Sequence, residues 1–229
     1  MLRLQSGDRI QVFDGAGRRF EATLGAAGRD RCELAIGAEL DSPPPSPLRI
    51  TLVQALSAAE KMDWAIEKAV ELGVTAIVPV IAARSIVRLD AARAERRREH
   101  WQRLVIAACM QCGRDILPQV HAVVGLDDWF EGLVLPEPDP RPAHRLILTP
   151  PAAGLNALAL SAWADALSGG AAIRQVTVLV GPESGFSDPE VTTAQALGFQ
   201  PIALGLRVLR TETAGLALLA ALQVKLGDF

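Results

Sequence analysis

The sequence predicts an α/β protein with a mostly parallel sheet, preceded by a small β domain. From residue 49 onward, short apolar runs alternate with amphipathic helical stretches, which is typical of strands joined by helices over a parallel sheet. Residues 8–40, in contrast, hold only strand-like segments. The proline-rich run Ser42–Pro47 separates the two parts as a semi-rigid spacer. We therefore expect a β domain over residues 1–44 and an α/β domain over residues 45–229.

The first domain contains three predicted strands, which are Arg9–Phe13, Arg18–Leu24 and Arg31–Leu40. The turn Asp14–Gly17 joins the first two strands. Three strands bury little apolar area, so a closed barrel would need more chain than these residues provide. The sequence thus predicts a small and incomplete β domain.

The second domain contains five predicted strands, which are Arg49–Leu56, Ala76–Ile81, Arg145–Thr149, Gln175–Val180 and Pro201–Leu204. Pro79 places the second of these strands near an edge or an end of the sheet, because proline has no N–H to donate to the ladder. We expect Pro136–Pro142 to form a mobile loop.

Three helices are predicted between these strands. The first begins at a capping box, Ser57–Glu60, and ends at Gly73. The second spans Ala91–Cys112. The third begins at another capping box, Ser187–Glu190, and Gly198 closes it.

A fourth helix follows the last strand and is the most apolar part of the chain. Thr211 is expected to cap it. The stretch Ala214–Leu222 is apolar on every side, which predicts a helix buried all round by the core or by a subunit interface. This stretch is far too short to span a membrane, and the N-terminus lacks the apolar region of a secretory signal. An odd count of three cysteines argues against a disulfide framework. We therefore expect a reduced, cytoplasmic protein.

The net charge of −3 argues mildly against a nucleic-acid partner. The charge is unevenly distributed, however, because eight arginines and only three acidic residues lie between Arg84 and Arg114. This segment is either a solvated helix face with a few ion pairs or a stripe that binds phosphate groups. Charge alone does not decide between the two interpretations.

Three loops at predicted strand ends have the composition of a ligand site. The first loop is Leu148–Pro151, the second loop is Val180–Ser187, and the third loop is Leu204–Thr213. Ligands of open α/β sheets bind beyond the carboxyl ends of the strands. Glycines let the backbone approach a ligand closely, and helix N-termini offer free N–H donors. The chain has neither a Gly-x-Gly-x-x-Gly motif nor a Walker loop, which disfavours nicotinamide cofactors and P-loop nucleotides.

The cysteines and histidines do not predict a metal or redox site. Cys109 and Cys112 form a C-x-x-C motif, but they lie inside a predicted helix rather than at its start, where thiolates are activated. The remaining cysteine and the three histidines show no ligand spacing. We expect no metal, and we assign these side chains to packing or to the surface.

Several stretches together resemble one family, the bacterial 16S ribosomal RNA (uracil(1498)-N3)-methyltransferases. The matching stretches are Glu60–Met62, Glu71–Val74, Arg84–Ser85, Ala107–Cys109, Gln111–Arg114, Val180–Glu183, Leu204–Ala214 and Ala221–Val224. The resemblance covers nearly the whole chain, and the stretch from Leu204 to Ala214 is highly specific. It implies a PUA-like barrel for RNA docking and a SPOUT domain with a C-terminal trefoil knot, working as a homodimer on 16S ribosomal RNA or the small ribosomal subunit.

The same resemblance implies that the three loops form a pocket for S-adenosyl-L-methionine. The cofactor-binding residues would be Leu148, Thr149, Pro150, Val180, Gly181, Pro182, Glu183, Gly185, Leu204, Gly205, Leu209 and Thr211. Arg210 would stabilise the uridine anion, and Glu212 would orient that arginine or accept the proton. The RNA contacts would be Lys61, Arg84, Arg88 and Arg114.

This chain departs from the family pattern at three places. The second loop usually reads Gly-Pro-Glu-Gly-Gly, whereas position 184 is serine here; a positive φ at that position would cost about 1 kcal/mol for serine. Met110 stands where the family usually has glutamate. The family also extends further at the N-terminus, so we expect RNA docking to be weakened more than cofactor binding.

Two alternatives from other classes stay open. The chain could be an RNA-binding relative with weak catalysis, or an α/β enzyme that uses another nucleotide-like ligand. A related SPOUT methyltransferase acting on another RNA position is a smaller variation.

Overall fold

A computed structural model describes residues 4–28, 31–133, 143–151, 157–166 and 174–229. The chain folds into two compact units. One comprises Met1–Pro45 together with Cys109–Leu117, and the other comprises Ser46–Ala108 and Pro118–Phe229. The predicted mobile loop, Pro136–Pro142, lies outside the described residues. No helix in the described ranges is both long and apolar enough to cross a membrane.

The first unit contains an antiparallel sheet in the order β1-β2-β3, formed by β1 (Arg9–Phe13), β2 (Arg19–Ala27) and β3 (Cys32–Leu40). All three predicted strands are confirmed, although β2 continues three residues further than Leu24. Asp14 organises the first turn, because its carboxylate accepts the backbone N–H groups of Ala16 and Arg18 at 2.8 and 3.1 Å.

The segment Cys109–Leu117 belongs to this unit through long-range contacts that local sequence patterns do not predict. Arg19 donates from Nε to the Asp115 carboxylate at 3.0 Å and from Nη2 to the Gly113 carbonyl oxygen at 2.8 Å. The backbone N–H of Gly17 also donates to the Asp115 carbonyl oxygen. Arg19 on β2 and the turn that precedes it thus hold a segment about ninety residues away in sequence.

Among the described residues, the second unit is built on a parallel sheet of eight strands. These are β4 (Arg49–Ala55), β5 (Ala76–Ile81), β6 (Gln119–Val120), β7 (Val124–Gly125), β8 (Ala143–Leu148), β9 (Leu158–Ala159), β10 (Gln175–Val180) and β11 (Phe199–Ala203). The order is β6-β5-β4-β10-β8-β11-β9, and β7 also pairs with β5. The five predicted strands are confirmed to within two residues. The two-residue strands β6, β7 and β9 were not predicted, since they are too short to show a period.

Pro79 lies where its missing N–H does no harm. β6 pairs with β5 at Ala76–Ile77, and β7 pairs with it at Val80–Ile81, so Pro79 lies in the gap between the two. β5 is therefore next to the edge of the sheet, as the proline predicts.

Six helices accompany the described strands, namely α1 (Ala59–Glu71), α2 (Ala91–Cys112), α3 (Leu126–Gly132), α4 (Leu160–Ala166), α5 (Asp188–Ala196) and α6 (Thr211–Leu226). The four predicted helices are confirmed. The seven-residue helices α3 and α4 were not predicted, because two turns give little periodicity.

The predicted helix caps have mixed outcomes. The box at α5 is confirmed: the Ser187 side chain accepts the Glu190 N–H, and the Glu190 carboxylate accepts the Ser187 N–H. The box at α1 is wrong, because the N-cap is Ala58 and no side chain caps the helix. The cap at α6 is also wrong, since Arg210 is the N-cap residue and Thr211 is already inside the helix.

Helix α6 is buried on one side only. Leu218, Leu219 and Leu222 are fully buried, whereas Val224 is 64% exposed and Ala217 is also exposed. The core of a single chain therefore does not surround this helix. The prediction that the core buries the helix on all sides is wrong. A subunit interface over the exposed apolar side is the alternative that remains.

Candidate active site

The carboxyl ends of three neighbouring strands meet at one cavity. β10, β8 and β11 lie side by side in the sheet, so the second, first and third loops follow adjacent strand ends. The cavity has a volume of about 750 Å³, and all three loops line it. Every predicted cofactor-binding residue except Gly205 lines this cavity. Gly205 lies in the third loop with φ +72° and an exposed backbone.

The second loop depends on two glycines. A Cβ atom on Gly181 would lie 3.1 Å from the ring of Phe186, so glycine lets the loop fold tightly over that ring. Gly185 has φ +70°, and its N–H donates to the Pro182 carbonyl oxygen at 2.8 Å. Every described residue with a positive φ is a glycine, so Ser184 does not carry the strain that a positive φ would cause at a serine.

A chain of side-chain hydrogen bonds joins this loop to the start of α6. The Gln54 Nε2 group donates to Thr211 Oγ1 at 3.1 Å, and Thr211 Oγ1 donates to the Gly181 carbonyl oxygen at 2.5 Å. The Thr211 hydroxyl therefore holds the second loop instead of capping its own helix. Sequence analysis missed Gln54; a polar residue inside the apolar run of β4 was the signal that could have revealed it.

Three charged side chains lie close together: Lys61 and Glu183 line the cavity, and Glu212, which does not line it, lies near Lys61. Lys61 Nζ lies 3.2 Å from the Glu183 carboxylate and 3.9 Å from the Glu212 carboxylate. Burial raises the pKa of Glu183, but hydrogen bonds from its own backbone N–H and from Lys61 outweigh this effect, so the pKa is lowered overall. Lys61 was predicted to contact RNA; in this structure it bridges two carboxylates.

The loop between β5 and α2, residues 82–90, is tied to the second loop and to α5. Arg84 donates to the Phe186 carbonyl oxygen at 3.0 Å and lies 3.4 Å from the Ser184 carbonyl oxygen. The Glu190 carboxylate accepts the Ala83 N–H at 2.7 Å while it closes the capping box. Of the predicted RNA contacts, Arg84 therefore lines the cavity and also supports it.

The other two predicted RNA contacts are not among the residues that line the cavity. Arg88 donates to the carbonyl oxygens of Ala82 and Ala83, within its own loop. Arg114 follows α2 and belongs to the first unit. Lys61 and Arg84 thus line the cavity, whereas Arg88 and Arg114 do not.

The two predicted catalytic residues begin helix α6. Arg210 lines the cavity with an exposed side chain, and its guanidinium does not cap the helix. The Glu212 side chain is 13% exposed, and its Oε2 atom is buried without a hydrogen-bond partner among the described residues. The Thr149 hydroxyl, on the first loop, is likewise buried without such a partner in those ranges.

Cys109 has the properties of a packing residue, whereas Cys32 is exposed. Cys109 is fully buried, and burial raises the pKa of its thiol to about 11, so it is not an activated nucleophile at neutral pH. Burial also lowers the pKa values of His121 and His144. Within the described ranges, no cluster of His, Cys, Asp and Glu could hold a metal ion.

Comparisons with known proteins point in one direction. A family model described as an RNA methyltransferase domain matches residues 44–223, and an RNA methyltransferase PUA domain matches residues 2–37. The chain is 31% identical to ribosomal RNA small subunit methyltransferase E of Buchnera aphidicola over 229 residues, which covers all of this chain and 86% of the relative.

Two solved structures are similar over 99% of this chain and 87% of theirs. One is ribosomal RNA small subunit methyltransferase E from Neisseria gonorrhoeae bound to S-adenosyl methionine, with 39% identity and a TM-score of 0.85. The other is a methyltransferase from Legionella pneumophila in complex with the bound cofactor SAM, with 32% identity and a TM-score of 0.86.

Proposed function

This chain belongs to the RNA methyltransferase family that includes ribosomal RNA small subunit methyltransferase E, and from that premise we propose that it methylates N3 of a uridine in 16S ribosomal RNA, at the position of uridine 1498, with S-adenosylmethionine as methyl donor. The observation that carries this proposal is the convergence of the three loops on one cavity. The resemblance assigns these loops to the cofactor, and in the structure they meet at adjacent strand ends.

The residues at the cavity fit S-adenosylmethionine. A volume of about 750 Å³ is within the usual range of small-molecule sites. The buried Thr149 hydroxyl can bond a polar group of the ligand, and Gly181 and Gly185 let backbone groups approach it closely. Backbone and side chains of the first, second and third loops would hold the cofactor.

The chemistry of uridine sets what the protein must do. When bound, S-adenosylmethionine supplies a methyl group attached to a positively charged sulfur. N3 of uridine carries a proton on the Watson–Crick edge, so the base must be unpaired or extruded before N3 can react. N3 is also a poor nucleophile until its proton leaves. The site therefore has to favour the uridine anion and accept one proton.

Arg210 is suited to the first task. Its exposed guanidinium lines the cavity, and its position as N-cap residue places it at the positive end of the α6 dipole. Both features favour negative charge at the same place. Arg210 would stabilise charge on the uridine oxygens as the N3 proton leaves.

Glu212 is suited to the second task. Its buried Oε2 has an open acceptor position within the described part of the chain, and Lys61 lies 3.9 Å from that oxygen. The N3 proton would first move to this carboxylate and from there to solvent. The N3 anion would then bond to the methyl carbon as the bond between that carbon and the sulfur breaks, with the electron pair of the broken bond staying on sulfur. Lys61 would keep the carboxylate oriented.

RNA docking would use the basic residues near the cavity and the first unit. Lys61 and Arg84 line the cavity, so either can reach a phosphate of the target nucleotide while it holds the loops. Arg88 and Arg114 would add charge along the RNA, and the PUA-like unit would bind a separate part of it.

Three further features of the proposal come from the family resemblance. We expect a trefoil knot in the C-terminal part and a homodimer, and the exposed apolar side of α6 is a candidate for the subunit contact. A cytoplasmic location follows from the ribosomal substrate. Light scattering of the purified chain tests the dimer directly.

Calorimetric titration with S-adenosylmethionine tests the cofactor half of the proposal. We expect saturable binding with about one cofactor per chain, no binding of NADH, and unchanged cofactor binding in Arg210→Ala. Binding of NADH instead would favour another α/β enzyme class. Cofactor binding without methyl transfer to ribosomal RNA would favour the RNA-binding relative with weak catalysis.

A further inference from the structure

Gln54 is a buried polar side chain close to the proposed cofactor cavity. We infer that Gln54 is a positioning residue for that cavity: its amide directs the Thr211 hydroxyl onto the Gly181 carbonyl oxygen and so fixes the second loop. This inference rests on the proposed function, because it assigns Gln54 a role in cofactor binding.

The surroundings of Gln54 make its hydrogen bonds important. It lies in β4, where Leu52, Val53 and Ala55 are buried, and its own side chain is only 2% exposed. An amide buried in apolar surroundings is costly unless it is hydrogen-bonded. A leucine or valine would fill this strand position without that cost, so packing alone does not explain a glutamine here.

The carbonyl oxygens of Ala55 and Gly181 can only accept hydrogen bonds, and this fixes the direction of the hydrogen bonds that Gln54 and Thr211 make. The Gln54 amide group lies 3.2 Å from the Ala55 carbonyl oxygen, which has no proton to give, so the amide nitrogen must face it. The same nitrogen donates to Thr211 Oγ1 at 3.1 Å. Because Thr211 Oγ1 accepts there, its single proton is available for the Gly181 carbonyl oxygen at 2.5 Å.

The Gly181 carbonyl is an effective point at which to hold the second loop. The peptide group between Gly181 and Pro182 has no N–H, because proline lacks one. The Gly181 carbonyl is therefore the only part of that peptide group that can form a hydrogen bond. Gly181 also packs closely on the Phe186 ring. Fixing one carbonyl therefore orients the start of the loop that lines the cavity, and Thr211 ties it to the helix end that carries Arg210.

Four single variants and one double variant, Gln54→Met with Thr211→Val, test the inference. Gln54→Met and Thr211→Val each remove one end of the hydrogen-bond chain while they keep the size of the side chain. Thr211→Ser keeps the hydroxyl. Thr75→Val is the matched control: the Thr75 hydroxyl donates to the Ile50 carbonyl oxygen at 2.9 Å, near the start of β4 and outside the cavity lining.

Two measurements are made on each variant. Calorimetry gives the Kd for S-adenosylmethionine, and hydrogen exchange of the ligand-free protein reports the backbone of residues 183–187. We expect Gln54→Met and Thr211→Val each to weaken cofactor binding about tenfold, because the loss of one hydrogen bond changes the Kd by about that factor. Both should also speed exchange in residues 183–187. The double variant should be no weaker than either single variant, because both break the same chain.

The outcomes separate this inference from the proposed function. Tighter binding in Thr211→Ser than in Thr211→Val, together with near-normal binding in Thr75→Val, would support the role of the hydroxyl chain. The inference is overturned if Gln54→Met and Thr211→Val bind the cofactor as well as Thr75→Val does, or if their effects simply add. If the unmodified chain binds no S-adenosylmethionine, the proposed function fails and the role of Gln54 in cofactor binding fails with it.

Discussion

The Glu190 carboxylate joins two loops of the cavity, and its removal should cost stability and cofactor affinity together. It is 6% exposed and accepts three donors: the Ser187 N–H at 2.7 Å, the Ser187 hydroxyl at 2.8 Å and the Ala83 N–H at 2.7 Å. A hydrogen bond to a charged group contributes about 1.5–3 kcal/mol. Two of the donors share one oxygen, so the contributions are not additive, and we expect about 3 kcal/mol for Glu190→Ala.

Thermal unfolding followed by circular dichroism measures this loss. For a chain of this length, about 3 kcal/mol corresponds to a Tm lowered by about 6–12 °C. The Tm of Glu190→Gln should lie between those of the unmodified chain and Glu190→Ala. Glutamine keeps one acceptor oxygen but has an NH2 donor in place of the other. Glu95→Ala is the control; it removes an exposed ion pair with Arg98 and should change Tm by about 2 °C or less.

Cofactor binding is measured on the same variants. Since Glu190 ties the loop after β5 to the start of α5, Glu190→Ala should also raise the Kd for S-adenosylmethionine. A variant that melts within about 2 °C of the unmodified chain and binds the cofactor normally would refute this reasoning.

Three further predictions concern the site and its surroundings. Arg210→Ala should lower methyl transfer by at least about 100-fold in a radiolabel assay while the calorimetric Kd for the cofactor stays within about twofold; normal turnover would remove Arg210 from the mechanism. Gly181→Ala places a Cβ 3.1 Å from the Phe186 ring, so it should weaken cofactor binding about tenfold; unchanged affinity would show that the loop adjusts freely. Burial raises the pKa of Cys109 to about 11, so its reactive thiolate becomes abundant only as the pH rises toward 11. Iodoacetamide at pH 8 should therefore modify the exposed Cys32 long before Cys109. Equal labelling of the two cysteines, measured by mass spectrometry, would contradict the burial of Cys109.

Local sequence pattern predicted most of the second unit. Long periodic segments such as Ala91–Cys112 have the predicted ends, because many residues contribute to one signal. Helix α3 and strands such as β6 were missed because two turns or two residues carry too little pattern. The predicted cap at Thr211 failed for another reason: its hydroxyl donates to the Gly181 carbonyl oxygen, thirty residues earlier, instead of capping its own helix.

The meeting of the three loops was predictable, but the side-chain contacts that connect them were not. Family resemblance placed the first, second and third loops at one pocket, and the strand order brings them together. It did not indicate that Lys61 bridges Glu183 and Glu212, or that Arg84 holds the second loop. These contacts join residues more than a hundred positions apart, and their geometry depends on the sheet order rather than on any local spacing.

The most direct test of the proposed activity is nucleoside analysis of the RNA product. Small ribosomal subunits that lack the modification would be incubated with the chain and S-adenosylmethionine, digested, and examined by mass spectrometry, with reverse transcription to locate the modified base. We expect one 3-methyluridine per 16S ribosomal RNA, at uridine 1498, and none with Arg210→Ala. A methyl group on another atom or another nucleotide, or no methyl group despite cofactor binding, would contradict the proposal.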